Sequence, residues 1–176
     1  MKKLIIKTSI LATFLLLGSV AFSQTSDAEW CKDSPFFNRM EKFYIHGCTE
    51  NYDAYEFITA EGEHELIEGE LLEIIYSYDG EYGPKLPSKL QVIKNYENAV
   101  EKLGGKKVYS KAADDGDWTG ATFHFQKDGA EYWMGIYDLI NNPVDQYTFV
   151  LLKTDAMIQE VTPDKLLDEK ETEESM

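Results

Sequence analysis

The chain has 176 residues, with 32 Asp and Glu against 17 Lys and Arg, a formal net charge of −15. Such a surface repels phosphate backbones and anionic lipid headgroups, which argues against nucleic acid or a membrane surface as partner. The length suits one domain with one hydrophobic core, and 11 Tyr, 9 Phe and 3 Trp favour an ordered, strand-rich fold over a disordered chain.

The N-terminus reads as a secretory signal peptide in three parts. Lys2, Lys3 and Lys7 form a positive n-region, Ile10 to Leu17 an apolar h-region, and Ala21-Phe22-Ser23 a cleavage site. Cleavage is predicted after Ser23, so residues 1–23 leave. The apolar run is shorter than the about 20 residues a bilayer span needs. The cut removes three lysines and no acids, so the mature chain carries a net charge of −18. The expected location is periplasmic or secreted. In that oxidising compartment Cys31 and Cys48, the only two cysteines, are expected to form one disulfide. A metal or redox site would show closer Cys spacing or more nearby histidine than the single His46.

Residues 24–35 read as a polar, loose N-terminal arm, ahead of a single α+β domain over 36–162. Phe36, Phe37 and Met40 are its first apolar contacts. Phe43-Tyr44-Ile45 and Tyr52 to Thr59 read as separate strands, punctuated by Gly47 and Asn51. Leu66 to Tyr78 is a third, with Leu72, Ile74, Tyr76 and Tyr78 on one side and Gly69 marking a bulge. Ser88, with Gln91 at capping-box spacing, opens a helix. Its apolar stripe is Leu90, Ile93, Tyr96, Ala99, Val100 and Leu103, and Gly104-Gly105 ends it. Lys107 to Lys111 is a strand. Thr122 to Tyr137 is a hairpin about Asp128-Gly129, a two-residue turn that pairs Phe125 with Tyr132 and His124 with Trp133. Gln146 to Lys153 is the last strand, apolar enough on both faces for a central position. Residues 163–176 form an acidic, largely disordered tail. The elements add up to an antiparallel β-sheet with one main α-helix packed on one face.

No Gly-x-Ser-x-Gly, His-Glu-x-x-His or Walker loop is present, so no catalytic residue, metal ligand or cofactor is assigned. Three weaker constellations remain. Asp114, Asp115 and Asp117 could hold Ca²⁺ or form a plain acidic turn. Glu65, Glu68, Glu70 and Glu73 could do acid–base work or form a solvated strand face, and nothing in the sequence separates their environments. His124, Trp133 and Tyr137 share the non-core face of the hairpin, as a binding surface or a second packing layer.

A further set of residues carries a resemblance. Cys31-Lys-Asp-Ser-Pro-Phe-Phe-Asn-Arg-Met40 is followed by Tyr44-Ile45, Cys48 and Glu50-Asn-Tyr52. Later come Ile67-Glu-Gly69, Lys94-Asn-Tyr-Glu-Asn-Ala99, Gly104-Gly-Lys-Lys-Val-Tyr109 and Asp128-Gly129 with Trp133. Together they resemble the N-terminal domain of unknown function found ahead of outer-membrane-protein-A-like, peptidoglycan-binding domains in bacterial envelope proteins. The resemblance spans about Glu29 to Leu167 and implies an envelope location, a shared fold and paired cysteines, but no activity. The peptidoglycan-binding domain is absent from these residues, so no peptidoglycan role is expected. The expectation is an exported, non-catalytic envelope module that binds an unknown envelope protein or a small ligand, with no membrane span in the mature chain. The alternatives are a small hydrolase using carboxylates or His124, and a carrier of apolar ligands.

Overall fold

Alternating apolar residues build the strands, and one run at helical spacing builds the helix. The computed structural model describes residues 26–80, 85–112, 119–139 and 141–154. The expected signal peptide, the Asp114–Asp117 turn and the acidic tail lie outside them. β1 (Phe43–Ala60) and β2 (Glu63–Tyr78) form a long hairpin, and α1 (Lys89–Lys102) follows. Then come β3 (Lys106–Lys111), β4 (Gly120–Lys127), β5 (Ala130–Tyr137) and β6 (Gln146–Lys153). All six strands join one antiparallel sheet in the order β1-β2-β6-β5-β4-β3. α1 packs on one face, which makes the fold α+β as expected. β6, apolar on both sides, lies between β2 and β5.

The sheet has one strand fewer than the sequence suggested, because the two short segments before Thr59 are one strand. Gly47 and Asn51 do not end it. The register slips between Ile45 and Gly47, leaving His46 as the extra residue of a bulge, and pairing with β2 then resumes. The bulge sets which way the rest of β1 faces. Phe43 and Ile45 point into the core under α1. Strict alternation would send Tyr55 and Phe57 to that same side; one extra residue sends them to the opposite face. There they pack with Ile67, Leu71, Trp133, Tyr137, Val150 and Leu152 in a second, smaller cluster. Gly69 is not a bulge: its pairing with Asp53 is regular. A Cβ there would stand 2.1 Å from the Lys153 carbonyl oxygen, so glycine lets the end of β6 approach.

Ser88 caps α1 as its spacing indicated, its Oγ accepting the Gln91 N–H at 3.2 Å. The buried face carries Val92, Ile93, Tyr96 and Val100 but not Leu90, which is 57% exposed. Leu90 lies about 100° around the helix from Lys89, which faces the sheet instead. Lys89 extends its Nζ to Thr119 Oγ1 at 3.4 Å. Glu97 is also buried, between Lys107 at 3.0 Å and Lys94 at 2.7 Å, and ties α1 to β3.

The β4–β5 hairpin has the register that Asp128-Gly129 implies, with Phe125 opposite Tyr132 and His124 opposite Trp133. Phe125 is 1% exposed and stacks on Tyr132 with ring centroids 5.0 Å apart. Phe36 meets both rings edge-on.

Candidate functional site

The expected binding face is built on β4 and β5 and is covered by the chain itself. The distal half of the β1–β2 hairpin bends across it, close to β3 and β4. Tyr55 stacks on Tyr137 at 5.9 Å with nearly parallel rings, and Phe57 packs on Trp133 at 5.7 Å. The Tyr137 hydroxyl bonds Thr122 Oγ1 at 2.7 Å and also takes a backbone hydrogen bond from Ile58. Burial pushes that hydroxyl up to about 12, against these bonds. Tyr137 is therefore a strut between strands rather than an accessible contact. Its ring lies over Gly135, where a Cβ would sit 2.2 Å from it. Trp133 and His124 stay half-buried, their rings 5.1 Å apart. His124 Nε2 lies 2.6 Å from Glu131 Oε1. A hydrolase built on His124 needs an acid in reach and a cavity around them. The acid is present; none of the described cavities is lined by His124.

The four carboxylates do not share one environment. Glu65, Glu68 and Glu70 are exposed, and Glu70 pairs with Lys153 at 3.1 Å. Glu73 turns to the second face, where burial and then the nearby Asp138 charge push its carboxyl up. Asp138 accepts a hydrogen bond from Thr148 Oγ1 at 2.5 Å. Tyr55 beside them is raised by burial first, then by Tyr137, Glu73 and Asp138. Glu73 differs because it is partly buried on the second face close to Asp138, which strand alternation alone does not reveal.

The largest described cavity lies elsewhere, between the N-terminal segment and α1. It is an open cleft of about 480 Å³ lined by Arg39, Met40, Glu41, Lys42, Tyr78, Lys85, Pro87, Gln91 and Asn95. A second hollow of about 320 Å³ continues it past Asn95 to Phe36, Asn38 and Ala99. The two adjoin, with Arg39, Met40 and Asn95 in the walls of both, and are together called the groove. The wall is held by tertiary bonds. Cys31 and Cys48 are disulfide-bonded, as their pairing predicted. Phe37 is buried among Tyr96, Phe125 and Phe149. Arg39 forms ion pairs with Asp27 and Asp33, and its guanidinium lies over Tyr76. The hydrogen bond from Arg39 holds the Asp27 carboxyl below its ordinary value. The Met40 N–H donates to Tyr147 Oη at 3.1 Å, and Tyr147 meets Tyr96 at 2.9 Å. The described part of the arm is thus anchored, not loose: Asp27 and Asp33 pair with Arg39, and Ser34 Oγ accepts the Phe36 N–H.

Arg39 is neutralised by its two aspartates, which leaves Lys42 and Lys85 as the outward cations of the groove, beside Glu41. Asn95 Nδ2 donates to the Gln91 carbonyl at 2.8 Å, directing its free oxygen away from the helix backbone. Chemically the groove offers amides, ammonium groups and the Glu41 carboxylate over a short apolar floor. Sequence reasoning missed it, since its walls are far apart in the chain; the local sign was Phe36-Phe37 with Met40, apolar residues in a polar arm.

No family model matches the chain, and neither a curated protein nor a solved structure is similar to it.

Proposed function

We propose that the mature chain is an exported, non-catalytic module of the cell envelope that binds a polar ligand in the groove between the N-terminal segment and α1. The ligand is a small molecule or a protein segment carrying a carboxylate for Lys42 or Lys85 and polar groups for Gln91 and Asn95. The observation that carries this reading is the groove itself: the largest described cavity, walled by a segment that a disulfide and a half-buried arginine with its two aspartates hold in place. Ligand sites are concave and mostly pre-formed, with a few placed polar groups. The disulfide suits an oxidising compartment, and no described helix is long and apolar enough to cross a membrane. Export to the periplasm or medium also draws on the signal-peptide pattern, and the envelope on the resemblance of the Cys31–Met40 stretch.

Envelope extract passed over the immobilised mature protein tests this. A bound component should be lost when Lys85→Glu and Asn95→Ala are combined, and nuclear magnetic resonance shifts in the wild type should fall on residues 38–42 and 91–99. Retention unchanged by the double variant would overturn the groove as the site.

A further inference from the structure

We propose a second interaction surface: the exposed side of the distal β1–β2 hairpin docks an extended, cationic polypeptide segment of another protein. The hairpin strands have 18 and 16 residues, against 6 to 8 in the other four. β6 pairs β2 only from Glu70 to Ser77, so the chain beyond is a two-stranded ribbon. A ribbon of this kind is marginal alone. One of its sides is secured by Tyr55, Phe57 and Ile67 on the second cluster.

The other side is open. The register places Tyr52 opposite Glu70, Ala54 opposite Glu68 and Glu56 opposite Leu66, with Glu50 at its base. All seven residues are exposed, Leu66 by 65% and Tyr52 by 39%. Each of these three cross-strand pairs therefore sets an apolar side chain beside a carboxylate. No Lys or Arg occurs anywhere in residues 43–84. Lys153 reaches Glu70 at 3.1 Å, and His64 Nδ1 lies 3.7 Å from Glu56.

β1 is also a sheet edge, occupied at Ile45 by Asp27 and Ala28 and at Ile58 by Tyr137, so a strand can add beside the stretch between them through main-chain hydrogen bonds. Charge selects which strand. A second copy would bring carboxylate against carboxylate, and edge-to-edge self-association is suppressed. A segment that carries a cation and an apolar residue in turn at every second position presents both to this face at once, because side chains two apart share a strand face: its cations meet the glutamates and its apolar side chains cover Tyr52 and Leu66.

The test uses the whole mature protein and two synthetic peptides, one with Lys and Val in turn at every second position and Ser between them, and one with Glu in place of Lys. The Lys peptide should bind, with resonance shifts confined to Glu50–Glu70 and affinity falling as salt rises. The Glu peptide should not bind. Glu56→Lys with Glu68→Lys should weaken the Lys peptide at least about tenfold, as reversing two interfacial charges does. Tyr52→Ser with Leu66→Ser should weaken it several-fold without changing the salt slope. Glu29→Lys with Glu101→Lys makes the same net-charge change off the hairpin and should leave affinity within about twofold, since distant surface charges are screened. If that pair weakens binding as much as the hairpin pair, or if the shifts lie outside the hairpin, the surface is ordinary acidity and the proposal fails. The groove variants Lys85→Glu and Asn95→Ala should leave peptide binding intact, so the two sites fail independently.

Discussion

Tyr137 joins three strands through one hydroxyl, lying on β5 and bonding Thr122 of β4 and the backbone of Ile58 on β1. It belongs to a group of tyrosines whose hydroxyls are buried and whose ionisation burial opposes. Tyr137 and Tyr147 are both pushed up to about 12, and Tyr55, Tyr76 and Tyr96 are raised as well. For each, the fold prefers the neutral phenol. The resulting stabilisation is fully present below the ordinary value of 10 and is lost as pH rises toward the folded value of about 12. The protein should therefore lose stability steeply above about pH 10, with tyrosinate absorbance from these side chains appearing together with loss of circular dichroism. Gradual ionisation of all tyrosines in a still-folded protein would contradict the burial described. The residue-level lesson of His124 is different: it pairs with Glu131 across a strand turn, and that contact serves the sheet.

At the level of elements, the β1 bulge is the most consequential irregularity. Everything on the second face depends on the extra residue at His46, because it turns Tyr55 and Phe57 toward Trp133 and Tyr137. Deleting His46 restores strict alternation and sends both rings to the wrong side. The expected cost is about 3 kcal/mol or more, comparable with truncating a buried aromatic, read as a fall in the urea midpoint. His46→Ala keeps the residue count, and His46 is exposed, so it should change stability little. A deletion as stable as the substitution would show that register is not what holds the second cluster. The helix shows the same dependence on placement. Its cap is local and follows from Ser88 and Gln91. Its buried face is set by the sheet, which accepts Lys89 and Glu97 through Thr119 and Lys107 and leaves Leu90 in solvent.

At the scale of the whole molecule, the groove and the sheet depend on one covalent link. The Cys31–Cys48 disulfide closes a loop with a sequence separation of 17 and ties the arm to β1. Reducing it should lower stability by about 3 kcal/mol in the chain-entropy model and raise amide exchange first in residues 26–42, the groove wall. Uniform exchange across the sheet instead would mean that the arginine network alone holds the arm. Several features were written in the sequence by itself: the acidic surface, the α+β class, the disulfide, the Ser88 cap, the Asp128-Gly129 register and the central place of β6. Each rests on neighbours a few residues apart, on strand or helix period, or on composition. Tertiary structure alone decided that β1 is continuous, that its distal half covers Trp133 and Tyr137, that Glu73 differs from its neighbours, and that a groove opens beside α1. These depend on partners remote in the chain, such as Met40 with Tyr147 across 107 positions and Tyr76 with Asp33 across 43. A face marked by alternation can be solvent or a second core, and only what folds over it makes the difference.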